Sequence, residues 1–448
     1  MLRVGDRDSI VAIATPPGIG GLGIVRFSGP LVPKIAQAVL GFLPPKRQAV
    51  LSDFLDQKKQ VLDRGIAIYY PGPNSYTGED VLELQAHGNP LILKALMQEG
   101  INLGLRIAEP GEFTLRAFLN NKMDLLQAEA VSSLIHAQTE QAAKSAFKSL
   151  QGDFSKAIFE LKEKLVQLRI IVEAALDFPE EDVTLIENYG VISSLETIRN
   201  DLKYALKTAE VGKILTEGIK VVILGKPNAG KSSFLNSLSG TEAAIVSEIP
   251  GTTRDLIRET INWDGLLVNL VDTAGLRESQ DAIEQEGIKR AWKELEQADY
   301  IFILVDLTQG EPKVQEYDQF PANIPKIIIL NKIDLLGLEQ KIQEDSGITR
   351  VWLSSKTELG IPEFRDYFSQ KLGLKQGLEG TWSARTRHVE ALKLTLFHLE
   401  QGLSVLSHSP EILAEELRLA QEQLSLLTGD FTSDDLLGRI FSDFCIGK

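Results

Sequence analysis

Thiols are almost absent from this chain, which has a single cysteine, Cys445, among 448 residues. One cysteine excludes an internal disulfide framework and agrees with a reducing compartment. No apolar run approaches the roughly 20 residues of a membrane-spanning helix. The opening segment, MLRVGDRDSIVAIATPPG, lacks the charged-then-apolar layout of a secretory signal, so a cytoplasmic protein is expected. Basic residues are not in excess either. The formal net charge is −15, whereas nonspecific nucleic-acid binding needs a basic face to neutralise phosphates. The acid is unevenly spread: residues 1–121 hold 12 Lys plus Arg against 11 Asp plus Glu, so the remainder carries −16. RNA contact would then rest on local patches or on a partner. Internal repeats and low-complexity tracts are also missing.

What is present describes a soluble globular chain, 43% hydrophobic and 24% charged, long enough for about three domains at roughly 150 residues each. Over residues 1–121, strand-like stretches (SIVAIAT, LGIVRFSG, RGIAIYY, DVLELQAHG) alternate with Gly/Pro turns and one apolar helix candidate, PLILKALMQEG. That predicts an α+β domain. Over 122–215 apolar positions recur three and four residues apart, as in FSKAIFELKEKLVQLRIIVEAAL, which predicts a helix bundle. Short buried strands ending in polar turns fill 216–376, and helical periodicity resumes over 377–448. The simplest organisation is a multidomain one in which an α/β domain is inserted into an all-α domain.

The inserted segment is the most informative. Strand IKVVILG runs into GKPNAGKSS, and Gly225 to Ser232 fits G-x-x-x-x-G-K-[ST]. In such a phosphate loop the backbone N–H groups cradle phosphates at a helix N-terminus. Asn228, Ala229, Gly230, Lys231, Ser232 and Ser233 are the candidate contacts, with Lys231 reaching the outer phosphates and the Ser232 hydroxyl ligating Mg2+. The pattern alone has chance matches, but here an apolar strand precedes it and a helical pattern, SSFLNSL, follows.

Four further elements stand in the order a GTPase requires. The segment around IPGTTRD offers Ser247, Glu248, Ile249, Pro250, Gly251, Thr252 and Thr253, the last to complete the Mg2+ shell. LLVNLVDTAG ends in Asp272, Thr273, Ala274 and Gly275; Asp272 can hold Mg2+ through water and Gly275 can donate to the γ-phosphate. KIIILNKID presents Asn331, Lys332, Ile333 and Asp334 at a strand's C-terminal end, where an Asp carboxylate accepts two hydrogens from guanine and rejects adenine. VWLSSK adds Ser354, Ser355 and Lys356 near the base. Together these predict a Ras-like P-loop G domain that binds and hydrolyses GTP.

One position departs from the Ras pattern: Leu276 stands where a Gln orients the attacking water, and Leu cannot hydrogen-bond water. Hydrolysis is then very slow or uses another group, and Arg277, Glu278, Asp281, Glu284 and Glu286 lie just downstream. Each is equally readable as part of a solvated acidic helix start. In the N-terminal domain GIGGLG satisfies GxGxxG, but strand-like GIVRFSG follows and position 43 is Leu rather than an acid, so a dinucleotide site is rejected. Cys445 is open to three readings: a buried apolar plug, a prenylated C-a-a-X cysteine, or a functional thiol. Lys448 is a poor final residue for prenylation. The apolar pattern Phe431, Leu436, Leu437, Ile440, Phe441, Phe444 predicts a last helix that docks and aims the tail.

GKPNAGKSS, IPGTTRD, DTAGLRES and NKID, with ATPPGIGGLGIVRFSG, SYTGEDVLELQAHG, PGEFTLRAFLNNKMDLLQAEAV and terminal CIGK, closely resemble the TrmE-type family of tRNA-modification GTPases. The likeness covers all three textures and both ends of the chain. It implies an N-terminal folate-binding domain that drives homodimerisation, and a G domain inserted in the helical domain. It also implies an FAD-binding partner, MnmG (GidA), with which tRNA wobble uridine U34 receives a carboxymethylaminomethyl or aminomethyl group. A tetrahydrofolate derivative, 5-formyl or 5,10-methylene, would supply the one-carbon unit. K+ would replace the arginine finger in charge stabilisation, held by Asn228, Ser247, Ile249 and Thr252. The resemblance implies Glu284 as the water-orienting group, Cys445 as a functional thiol, and Arg26, Glu83, Lys122 and Lys448 as folate contacts. From the residues alone, Arg26 and Glu83 read first as ordinary strand-surface charges. Two small departures occur: HGNP at 87–90 where a second glycine is usual, and SSKT where SAKT is common. A regulatory GTPase of ribosome assembly, or a non-catalytic GTP switch, is the alternative; either leaves SYTGEDVLELQAHG and CIGK unexplained.

Overall fold

The computed structural model describes residues 8–177, 190–239, 257–263, 265–272, 292, 294–311, 320–345, 348–374, 380–405, 409–429, 434–442 and 444–447. The chain divides into two units, one of residues 1–132, 149–198 and 397–448, the other of 133–148 and 199–396.

In the first unit, strands β1 (Ile10–Ile13), β2 (Gly20–Ser28), β3 (Val50–Leu55), β4 (Val61–Tyr70), β5 (Val81–Gly88) and β6 (Arg106–Ile107) form a sheet in the order β3-β4-β5-β2-β1-β6. All pairs are antiparallel except β1 with β6. Side chains alternate across a strand. Val25 and Phe27, Ala67 and Tyr69, and Leu82, Leu84 and Ala86 share a core with helices α1 (Val32–Leu40) and α2 (Pro90–Asn102). The intervening residues, Arg26 and Glu83 among them, therefore face the other way.

GIGGLG opens strand β2, as its rejection as a dinucleotide loop requires. Asn89, at the glycine departure, caps α2 by accepting the Leu91 N–H at 2.9 Å, a contact glycine could not make. The sequence reading placed one helix here, and the structure has three: α1 and α3 (Glu112–Leu119) are nine and eight residues long. Such short helices carry little periodicity of their own. They are set instead by their boundaries: Gly41 closes α1 at φ 83° and Gly111 opens α3 at φ 68°. α3 is anchored by the buried Glu112, which pairs with Arg106 at 2.5 Å and Arg116 at 2.8 Å, while both arginines also reach Asp8.

Helices α4 (Leu125–His136), α5 (Glu140–Gln151), α6 (Asp153–Asp177) and α7 (Val191–Glu217) follow. On α6 the buried apolar residues are Phe154, Ile158, Leu161, Leu165, Leu168, Val172 and Ala175. This alternation of four and three, read correctly in the sequence, packs α6 along α11 (Pro410–Thr428), which repeats it at Leu413, Leu417, Ala420, Leu424 and Leu427.

In the second unit, seven strands run in the order β12-β13-β11-β10-β7-β9-β8. The five inner strands, β13 (Ile348–Trp352), β11 (Lys326–Asn331), β10 (Tyr300–Asp306), β7 (Ile219–Gly225) and β9 (Leu266–Asp272), are parallel. The edges β12 (Lys341–Asp345) and β8 (Ile257–Trp263) are antiparallel. Val221 and Ile223 enter one core and Val222 and Leu224 another, so IKVVILG is apolar without alternation because both sheet faces are covered. Helices α8 (Lys231–Ser239) and α9 (Ile361–Lys371) belong to this unit, and α10 (Thr386–Val405) starts in it. At the end of α7 the Glu217 carboxylate accepts the Thr386 N–H at 2.9 Å and the Thr386 hydroxyl at 2.7 Å. One turn earlier there is no space for a side chain: a Cβ on Gly212 would lie 1.8 Å from the Trp382 carbonyl oxygen.

Candidate functional site

The second unit gathers those of its predicted residues that the structure describes at the C-terminal ends of its parallel strands, where open α/β sheets bind ligands. The phosphate loop leaves β7 at Gly225, whose Cβ would lie 2.7 Å from the Leu304 carbonyl oxygen, and enters α8 at Lys231. Asn228 and Gly230 adopt positive φ, 65° and 96°. Lys231 folds back so that its ammonium donates to the Gly225 carbonyl at 3.0 Å, spanning the loop. Asn228, Ser232 and Ser233 are exposed, and Ala229 is buried.

Asn331 is the hub. Its Nδ2 donates to the Ala229 carbonyl at 2.8 Å, while its Oδ1 accepts the backbone N–H groups of Lys332 and Ser355, each at 2.9 Å. One buried amide thereby joins the phosphate loop, the NKID turn and the SSK segment. Only glycine fits at 230, since a Cβ there would lie 2.4 Å from Asn331 Nδ2. Ser355, the departure from SAKT, adds a contact: its hydroxyl donates to Asn331 Oδ1 at 3.0 Å. Ser354 is buried and its hydroxyl accepts the Thr357 N–H. Ile333 is buried and Lys356 exposed.

Asp334 Oδ1 is buried and has no hydrogen-bond partner among the described residues. Leaving a buried carboxylate oxygen unpaired is costly, and an oxygen in this setting suits an acceptor for paired N–H groups such as those of a guanine edge. Asp272 ends β9 opposite Ile223 of β7. Ser247, Glu248, Ile249, Pro250, Gly251, Thr252, Thr253, Thr273, Ala274, Gly275 and Glu284 lie outside the described residues, as does Lys448. One participant escaped the sequence reading: Asp306, at the end of β10, pairs with Lys332 at 2.7 Å. The available signal was Asp-x-Thr after a strand, a tight-turn pattern.

A second candidate site lies on the first unit's sheet. Arg26 and Glu83 are register partners on β2 and β5 and form an ion pair at 2.8 Å. The guanidinium carbon sits 5.8 Å from the Tyr76 ring centroid and 5.7 Å from that of Phe113, and Nη1 donates to the Gly447 carbonyl at 3.1 Å. The final residues are thus fastened beside Arg26. Gly447, with φ 94°, approaches so closely that a Cβ would lie 2.6 Å from the Ile13 carbonyl oxygen. Upstream, α12 (Asp434–Ser442) docks through Leu437, Ile440, Phe441 and Phe444 against Leu115, Leu125 and Ala128, as its apolar pattern predicts; Phe431 lies outside the described residues. Cys445 is exposed, which removes the buried-plug reading. Lys122 is exposed and its stem lies against Gly78 of the SYTGED loop, where a Cβ would be 3.4 Å from Lys122 Cδ. Tyr76 and Phe113 went unnoticed in the sequence because cation–π partners bear no fixed spacing.

Parallel sheet, phosphate loop, Asn331 hub and an Asp334 oxygen without a partner among the described residues define the class: a P-loop GTPase. Family profiles narrow this. The MnmE helical domain profile matches residues 125–445, and the profile for the GTP-binding protein TrmE N-terminus matches residues 9–122. The tRNA modification GTPase MnmE of Hydrogenovibrio crunogenus is 51% identical over 446 residues, covering 99% of each chain. That of Nitrosomonas eutropha is 51% identical, covering 99% of this chain and 100% of its own. That of Proteus mirabilis is 50% identical, covering 98% and 99%. The chain belongs to the MnmE family of tRNA modification GTPases and is a GTP hydrolase. Among the described residues, no helix is long and apolar enough to cross a membrane.

Proposed function

We propose that this protein couples GTP hydrolysis to folate-dependent modification of C5 of the wobble uridine U34, acting as a homodimer with an FAD-binding partner of the MnmG (GidA) type in the cytoplasm. The observation that carries the nucleotide half is the buried Asp334 oxygen, without a partner among the described residues, beside the Asn331 hub. Guanine binds there, phosphates lie along Asn228 to Ser233, and Mg2+ is held by Ser232 and Thr253, with Asp272 acting through water. K+ is held by Asn228 with Ser247, Ile249 and Thr252, and Glu284 orients the attacking water. The G domain is the inserted segment 216–376, between helical parts 122–215 and 377–448.

The folate half draws support from the Arg26 environment. A cationic group over two aromatic rings, paired with a carboxylate and capped by the chain's last residues, suits a flat heteroaromatic ring bearing an anionic tail. Glu83 can accept from an amino-pterin edge, while Arg26, Lys122 and Lys448 carry the positive charge for carboxylate or ring oxygen. The bound folate would supply the one-carbon unit. Deleting the gene and analysing wobble nucleosides tests the whole reading: C5-modified U34 should disappear from the affected tRNAs and return with the gene on a plasmid. Unchanged nucleosides would leave a regulatory GTPase as the better account.

Turnover should depend on K+ beyond ionic strength, because position 276 offers no Gln and the charge-stabilising part falls to a cation. The measurement is GTPase rate in KCl against NaCl at equal concentration. A rate at least tenfold higher in KCl is expected; equal rates remove the K+ site.

A further inference from the structure

Lysine at the second position of N-K-x-D is a flexible side chain on an unusual backbone. Lys332 has φ 69°, a left-handed conformation that costs a residue with a Cβ, and its ammonium ends a four-carbon stem rich in rotamers. In this structure the stem is tied at its end, where Nζ donates to Asp306 Oδ2 at 2.7 Å.

Asp306 is itself immobilised. It closes β10 opposite Asn331 in the parallel β10–β11 register, which places the carboxylate beside the hub. It then caps the 3-10 turn Leu307–Gln309: Oδ1 accepts the Thr308 N–H at 3.1 Å and the Thr308 hydroxyl at 2.6 Å, and Oδ2 accepts Gln309 Nε2 at 3.2 Å. One oxygen is taken up by Thr308 of its own turn, while the other is shared between Gln309 of that turn and the lysine. The hydrogen bonds from Lys332 and then Thr308 hold the Asp306 carboxyl below the usual carboxylate range. The two side chains are 11% and 29% exposed, so the pair is sheltered more than a surface ion pair without being cut off from water.

We propose that Asp306 is a positioning residue for guanine-nucleotide binding, holding the Lys332 side chain in the conformation that walls the base pocket before nucleotide arrives. This rests on the reading of the NKID turn as the guanine pocket. Ordering the lysine in the empty protein spares the nucleotide that cost, so the contribution appears as affinity for GDP and GTP alike, since both carry the same base.

The test is equilibrium titration of the full-length protein with fluorescent GDP and a non-hydrolysable fluorescent GTP analogue. Asp306→Asn keeps the side-chain shape and an oxygen for the Thr308 cap while removing the charge. It should raise both dissociation constants by the same factor, about three- to tenfold, and the loss should fall on KM rather than kcat. In a Lys332→Ala background the same substitution should have little further effect, because its partner is gone. Additive losses in that background overturn the proposal, as does unchanged affinity in Asp306→Asn. Thr308→Val disturbs the turn but leaves the ion pair; if it reproduces the Asp306→Asn loss, Asp306 is only a turn cap and the proposal fails. Asp334→Asn is run alongside and should trade guanine for xanthine nucleotides. If it does not, the pocket reading itself has failed and the inference falls with it; if it does while Asp306→Asn is neutral, the inference alone has failed.

Discussion

Glu284→Ala is expected to bind GTP about as tightly as the unaltered protein and to hydrolyse it about 10²-fold more slowly or worse. The argument starts from Leu276, which occupies the place of the water-orienting Gln and can make no hydrogen bond. A carboxylate can accept the proton-bearing side of the attacking water directly or through a second water, and so stand in for an amide. Orientation of water matters in the transition state and hardly at all in the bound ground state, so its loss should appear in kcat with nucleotide affinity preserved. Asp334→Asn should show the opposite signature, weakened guanine binding, because its contact exists throughout the cycle. Stopped-flow binding and single-turnover hydrolysis separate the two; equal loss of affinity in both variants would show that the roles are wrongly divided.

Cys445→Ser is expected to keep fold, dimer and GTPase rate while losing most or all of the tRNA modification. The thiol is exposed, so serine leaves no cavity and buries no new hydroxyl. What changes is chemistry, since a thiolate is far more nucleophilic than an alcohol at neutral pH. The neighbouring residues hold the tail in place: the Gly111 N–H donates to the Cys445 carbonyl at 3.4 Å, and Arg26 holds the Gly447 carbonyl. Deleting Gly447 and Lys448 removes that second anchor and should weaken folate binding. Mass spectrometry of the wobble nucleoside provides the readout, and normal modification by Cys445→Ser would reduce the residue to a bystander.

The G segment was legible because its motifs encode backbone chemistry. A phosphate loop requires Gly225 and Gly230 at points of close approach, and the pattern of glycines, lysine and serine writes that requirement into contiguous residues. The last helix was legible through its apolar spacing. Arg26 and Glu83 were not distinguishable from surface charges, since they meet only through the register of β2 and β5, 57 residues apart. Asp306 was silent for the same reason, standing 26 positions before Lys332. Asn89 and Ser355 looked like neutral departures, yet each makes a hydrogen bond that the more usual glycine or alanine could not. Contacts between distant segments depend on where strands lie in a sheet, and no local pattern reports that.

The chain leaves α7 at Glu217 and returns at Thr386 through one doorway, with the two crossings bonded to each other and pressed together at Gly212. A polypeptide attached by one linker can swivel about single bonds. One attached by two crossings fastened side by side has lost that swivel and keeps mainly the motions of a door on its hinge. Any displacement of the end of α7 is therefore shared with the start of α10, because the two are hydrogen-bonded to each other. Gly212 is what lets the two crossings lie so close, because a side chain there would wedge them apart at the Trp382 carbonyl.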